Sequence, residues 1–85
     1  MTASERILKL FGELDSILLE EPRTGSELTS AWSRVAAVSK SVHEELRKIE
    51  DENLSSVEYS KIAIQHGKYL RKISAFYRRG LKTNG

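Results

Sequence analysis

No cysteine occurs anywhere in this sequence, so neither a disulfide nor a thiolate metal site can hold the fold together. Proline occurs once, at Pro22, and glycine five times, which suits a chain of a few long helices better than one of many turns. Long hydrophobic runs are missing as well. The longest clusters, Ile17-Leu18-Leu19 and Val35-Ala36-Ala37-Val38, fall far short of the roughly 20 apolar residues that cross a bilayer. The first residues turn acidic at Glu5 and do not form the basic-then-apolar pattern of a secretory leader, so the expected location is intracellular, cytoplasm or nucleus. There is no glycine-rich phosphate loop and no nucleophile-histidine-acid order, which leaves neither an enzyme nor a cofactor to propose. Two histidines, His43 and His66, with no carboxylate on the same faces are too few for a metal site.

What is present is a chain of 85 residues, near the size at which a single core is marginal, with 39% hydrophobic and 31% charged side chains. That balance is globular rather than disordered. Helix packing or association must supply the stability that staples do not.

Three capping patterns divide the chain. Thr2-Ala3-Ser4-Glu5, Thr24-Gly25-Ser26-Glu27 and Ser55-Ser56-Val57-Glu58 each place a hydroxyl three residues before a glutamate, the signature of a helix start; Ser26 competes with Thr24 as the second cap. The spacing predicts helices over about 4–20, 27–51 and 56–80. Pro22 closes the first helix and Gly80 is a plausible C-terminal cap for the third, leaving 82–85 frayed. Short connections favour an antiparallel three-helix bundle, all-α, with long second and third helices.

The apolar periodicity assigns the core. In the first helix Ile7, Leu10, Phe11, Leu14, Ile17 and Leu18 share a third of the helical circle, with Leu8 and Leu19 at one shoulder. In the second, Leu28, Trp32, Val35, Val38, Val42, Leu46 and Ile49 recur at steps of three and four. Ser39 and Ala36 lie in or beside that stripe, so a neighbouring helix is expected to approach closely at mid-length. In the third, Tyr59, Ile62, Ala63, His66, Tyr69, Leu70, Ile73, Phe76 and Tyr77 form an apolar face, while Lys61, Lys68, Lys72 and Arg79 line the opposite one.

Charge is uneven. Residues 1–25 and 26–54 each carry a net charge of −2, whereas residues 55–85 carry +6. The basic surface comprises Lys61, Lys68, Arg71, Lys72, Arg78, Arg79 and Lys82, and carboxylates of the first two helices are expected to neutralise much of it.

The first helix is shorter than the other two, so part of the second and third should remain uncovered. The function expected is therefore a non-enzymatic protein-protein interaction module or subunit of a complex. It would dock a partner or a second copy through Trp32, His66, Tyr69, Ile73, Phe76 and Tyr77. The alternative is a nucleic-acid-associated protein that uses the basic surface of the third helix against phosphates.

Overall fold

The computed structural model describes residues 2–49, 52 and 54–84, with side chains as far as Gly80. Three helices account for nearly all of it: α1 (Ala3–Leu18), α2 (Gly25–Ile49) and α3 (Ser56–Asn84). They form an all-α, antiparallel bundle with extents of 46 × 19 × 16 Å. No helix among the described residues is long and apolar enough to cross a membrane.

The three expected caps all form. The Glu5 N–H donates to Thr2 Oγ1 at 3.2 Å, the Glu27 N–H to Thr24 Oγ1 at 3.1 Å, and the Glu58 N–H to Ser55 Oγ at 3.2 Å. Thr24 thus wins over Ser26, which lies inside α2. The return arm of the box differs, since Glu27 accepts from the Arg23 N–H at 2.8 Å. α1 ends two residues earlier than the spacing predicts, at Leu18. The Leu19 and Glu20 N–H groups then close the last turn onto Asp15 and Ile17.

Glu52 has a role that its position after α2 conceals. Its carboxylate accepts the Ala3 N–H at 2.6 Å, so an acid placed where the dipole of α2 disfavours it meets the N-terminus of α1, where a helix dipole favours it. Glu50, Asp51 and Asn53 beside it lie outside the described residues.

The core follows the predicted stripes of α1 and α2, to which it adds Ala3 and Ala31, but takes only part of the α3 stripe, whose Tyr59, Ala63 and Leu70 are exposed. Ala3, Ile7, Phe11, Leu14 and Ile17 of α1 meet Leu28, Ala31, Val35, Val42 and Ile49 of α2, and α3 adds Ile62 and Phe76. Leu8 and Leu19 are exposed, as their shoulder positions predict. The backbones of α1 and α2 approach each other most closely, and α3 stands further off. The side chains explain this: Ala31 lets α1 and α2 close, whereas Trp32, Tyr69 and Tyr77 hold α3 at the distance of an aromatic ring. The close crossing expected at Ala36 and Ser39 is not there. Ala36 is exposed and Ser39 half-buried.

Gly80 is corrected too. It does not cap α3, which continues to Asn84, and its φ is not in the left-handed range that such a cap needs. It marks a close approach instead: a Cβ there would stand 2.6 Å from Leu28 Cδ1, 3.2 Å from Leu28 Cδ2 and 3.3 Å from Trp32 Cζ2. At Gly12 a Cβ meets nothing within 4 Å. Gly12→Ala should therefore gain about 1 kcal/mol of helix propensity and raise the melting temperature. Gly80→Ala should gain nothing net, because overpacking against buried Leu28 costs about 1–3 kcal/mol. Thermal unfolding followed by circular dichroism separates the two.

Candidate partner-docking face of helices α2 and α3

The six apolar residues expected to receive a partner do not form one exposed surface. Phe76 is only 2% exposed and belongs to the core. The Tyr69 ring stacks on Phe11 of α1 at 4.6 Å, and its hydroxyl donates to Asp15 Oδ2 at 2.7 Å. Burial first, and Asp15 second, push the Tyr69 phenol up to about 12. Trp32 meets Tyr77 edge-on at 5.3 Å, with its buried Nε1 lacking an acceptor among the described residues, and Ile73 packs half-buried against the core. α3 stands off far enough that these side chains fill the gap, which leaves Phe76 buried and Trp32, Tyr69, Ile73 and Tyr77 half-buried.

His66 is drawn into a pair. Its ring lies edge-to-face with His43 of α2, centroids 5.5 Å apart. No group of three or more metal-ligating side chains gathers around them or elsewhere among the described residues. Burial first, and His43 second, hold the His66 imidazole below the usual histidine range. The groups bordering it are cationic or neutral: His43, Arg47 and the Tyr59 hydroxyl. An unfolded chain binds the proton near pH 6.5 and the folded chain only below that, so the unfolded state holds more protons in this window. Stability is then full above about pH 6.5 and declines as the pH falls towards the folded value. The urea midpoint should drop between about pH 7.5 and pH 5.5, and His66→Leu should make the drop smaller.

Three aligned contacts fix how α2 lies against α3: Trp32 with Tyr77, His43 with His66, and Leu28 with Gly80. In an antiparallel pair this register sets Ser39 opposite Leu70, Ala36 opposite Ile73 and Leu46 opposite Ala63. The residues involved, Trp32-Ala36-Ser39-His43-Leu46 on α2 and Tyr59-Ala63-His66-Leu70-Ile73-Tyr77 on α3, alternate by four and three, the spacing of a coiled-coil seam. Comparison with known proteins finds no matching family, curated protein or solved structure. The geometry alone must therefore carry the reading.

α1 covers only one side of this seam. It touches α3 through Phe11, which stacks on Tyr69, and through Asp15, which meets Tyr69 and Lys72, and its Thr2, Ser4, Glu5 and Leu8 share a hollow with Lys61, Ile62 and Gln65. On the helical circle those α3 positions lie on the far side of the seam from Ala63 and Leu70. The other side is open. There Tyr59 is 53% and Leu70 47% exposed, Ala63 and Ala36 are exposed, and a hollow of about 280 Å³ is lined by Leu46, Arg47, Tyr59, Ile62, Ala63 and His66. Seam residues opposite Leu70 and Ile73 are small, so α2 cannot roof the groove. Periodicity alone hid this, because Tyr59, Ala63 and Leu70 read as one face with Ile62 and Tyr69.

The basic surface is less neutralised than its acidic neighbours suggest. Lys72 Nζ stands 3.8 Å from Asp15 Oδ1 and 5.0 Å from the centre of the Tyr69 ring, and Arg79 lies 5.8 Å over the Phe76 ring. Lys61, Lys68, Arg71 and Arg78 are exposed and have no ion-pair partner among the described residues. The side chain of Lys82 lies outside them. Two of the acids outside α3 are engaged with cations that are also outside it: Glu20 accepts both Arg34 nitrogens at 2.7 and 2.8 Å, and Glu45 bridges Arg6 at 2.8 Å and Lys48 at 3.2 Å. The Arg34 hydrogen bonds hold the Glu20 carboxyl below its ordinary range, and those of Arg6 do the same at Glu45. The four exposed cations share their outer face with exposed Val57 and Ile64, so it is basic with apolar interruptions rather than a continuous charged strip.

Proposed function

We propose that this chain is a non-enzymatic interaction module that docks a helix from another protein on the open side of the α2–α3 seam. The observation that carries this reading is the state of Tyr59 and Leu70. Both belong to a seam whose heptad spacing suits helix-on-helix packing, yet half of each lies bare because α1 occupies the opposite side. A fourth helix there would complete a four-helix arrangement and bury the seam.

Leu70→Glu tests the reading. The side chain is on the surface, so the variant should keep its fold by circular dichroism, but a charge in the middle of the docking face should abolish capture of the partner taken by the wild-type chain from its native cell. Capture that survives both Leu70→Glu and Tyr59→Glu would exclude the seam as the docking site.

The exposed cations Lys61, Lys68, Arg71 and Arg78, without an ion-pair partner among the described residues, support a second reading, a nucleic-acid-associated protein that uses the outer face of α3. It makes a distinct demand. Binding to phosphates releases counter-ions, so affinity for DNA or RNA should fall steeply with added salt, by about 0.9 in the log–log slope per contact. Apolar docking should not.

A further inference from the structure

The open groove is bordered on both flanks by cations set seven residues apart. On α2 these are Lys40 and Arg47, and on α3 Arg71 and Arg78, all exposed. None has a carboxylate at ion-pairing distance among the described residues; Arg78 turns its Nε to the Ser74 carbonyl at 3.4 Å. In the register of the seam Arg47 lies level with Ile62 and Lys40 with Tyr69, so the four charges spread over about 24 Å of groove. Among the described residues acids are displaced from it. Glu44 lies further round α2, beyond Lys40, and Glu58 borders the hollow on the α1 side with Thr2, Glu5 and Leu8.

We propose that the groove receives an amphipathic partner helix whose apolar ridge is flanked on both sides by Asp or Glu repeating every seven residues. This rests on the docking reading given above and names the chemistry of its partner. In helix-on-helix packing the apolar residues meet along the seam, and the charges beside it choose the partner. In the seam register Arg47 and Lys40 border the half of the groove towards Tyr59, and Arg71 and Arg78 the half towards Tyr77, so a basic or neutral helix seated here would displace water from beside like charge along its whole length. An acidic one neutralises both rows.

The other occupants fit less well. Nucleic acid would set phosphates over the apolar floor of Tyr59, Ala63 and Leu70, where they lose hydration without gaining a contact. A second copy would have to offer one of its own exposed faces. The bare leucines of α1, Leu8 and Leu19, are separated by Gly12, Asp15 and Ser16, which supply no apolar ridge.

The test uses the full chain and two synthetic 21-residue helical peptides. Both carry leucines alternating by four and three; one has glutamate at the flanking positions and the other lysine. By fluorescence anisotropy the glutamate peptide should bind at least about tenfold more tightly than the lysine peptide. The variant Lys40→Glu/Arg47→Glu/Arg71→Glu/Arg78→Glu should reverse that preference while keeping the wild-type circular dichroism spectrum, since the four side chains are exposed and make no ion pair among the described residues. Equal binding of the two peptides, binding of neither, or a preference untouched by the fourfold variant would overturn the proposal. So would a duplex of about 20 base pairs that binds more tightly than the glutamate peptide and is released by the same four substitutions, or a dimer seen by sedimentation that the glutamate peptide does not dissociate. A native partner lost on Leu70→Glu but retained by the fourfold variant would leave the docking reading standing and remove this one.

Discussion

Phe11→Ala is expected to lower the free energy of unfolding by about 4 kcal/mol, near the upper part of the range for a buried phenylalanine. Phe11 is enclosed by all three helices. It lies in the core of α1, faces α2, and stacks on Tyr69 of α3 at 4.6 Å. Its removal leaves a cavity with apolar walls and strands the Tyr69 ring without its partner, so little of the lost contact can be recovered by relaxation. A domain of this size has a stability of about 4–13 kcal/mol by ordinary per-residue values, so the variant should be partly unfolded on warming. Urea unfolding followed by circular dichroism measures the change. A loss below about 1 kcal/mol would mean that α3 is not seated on α1 through this ring.

Phe76→Ala should have the second largest effect, about 3 kcal/mol, and at the lower end of the same range for a stated reason. Phe76 is as fully buried as Phe11, but it borders an open hollow of about 300 Å³ lined by Pro22, Leu28, Arg79 and Gly80. Water can enter the space that truncation leaves, which limits the cavity penalty. The signature lies in Trp32: it packs edge-on to Tyr77, the residue after Phe76, so loosening of this end of α3 should shift the tryptophan emission to longer wavelength. Phe11→Ala should leave that emission nearer its native position in the folded fraction.

Much of the fold was legible in the residues. Thr2, Thr24 and Ser55 cap where the hydroxyl-to-glutamate spacing places them, because capping is settled within four residues of chain. The stripes of α1 and α2 are the core because a period of 3.6 fixes which side chains share a face. Gly80 misled for the same local reason: a glycine after Arg78 and Arg79 looks like a helix end, and only the nearness of Leu28 gives it another purpose. Glu52 follows α2 in the chain, so local pattern ties it to that helix, while its partner is the N-terminus of α1, 49 residues away in sequence.

The site was less legible. Trp32, Tyr69, Phe76 and Tyr77 were correctly placed on apolar faces, but a face is a direction around one helix and does not say which neighbour fills it. The pairing of His43 with His66 and the alignment of Lys40 and Arg47 beside Arg71 and Arg78 join residues from two helices, so no window along the chain contains them.

The sequence by itself determined three helices, their starts, the stripes that α1 and α2 turn inward and the concentration of positive charge in the last helix, because these follow from local propensity and periodicity. Only the tertiary structure decided which side of α3 remains open. Ala31 allows α1 and α2 to close on each other, while aromatic rings hold α3 away and α1 covers a single side of the α2–α3 seam. That choice depends on side-chain volumes meeting across three helices at once, and it is what leaves Tyr59 and Leu70 uncovered in a groove bordered by Arg47 and Lys40 along one half and Arg71 and Arg78 along the other.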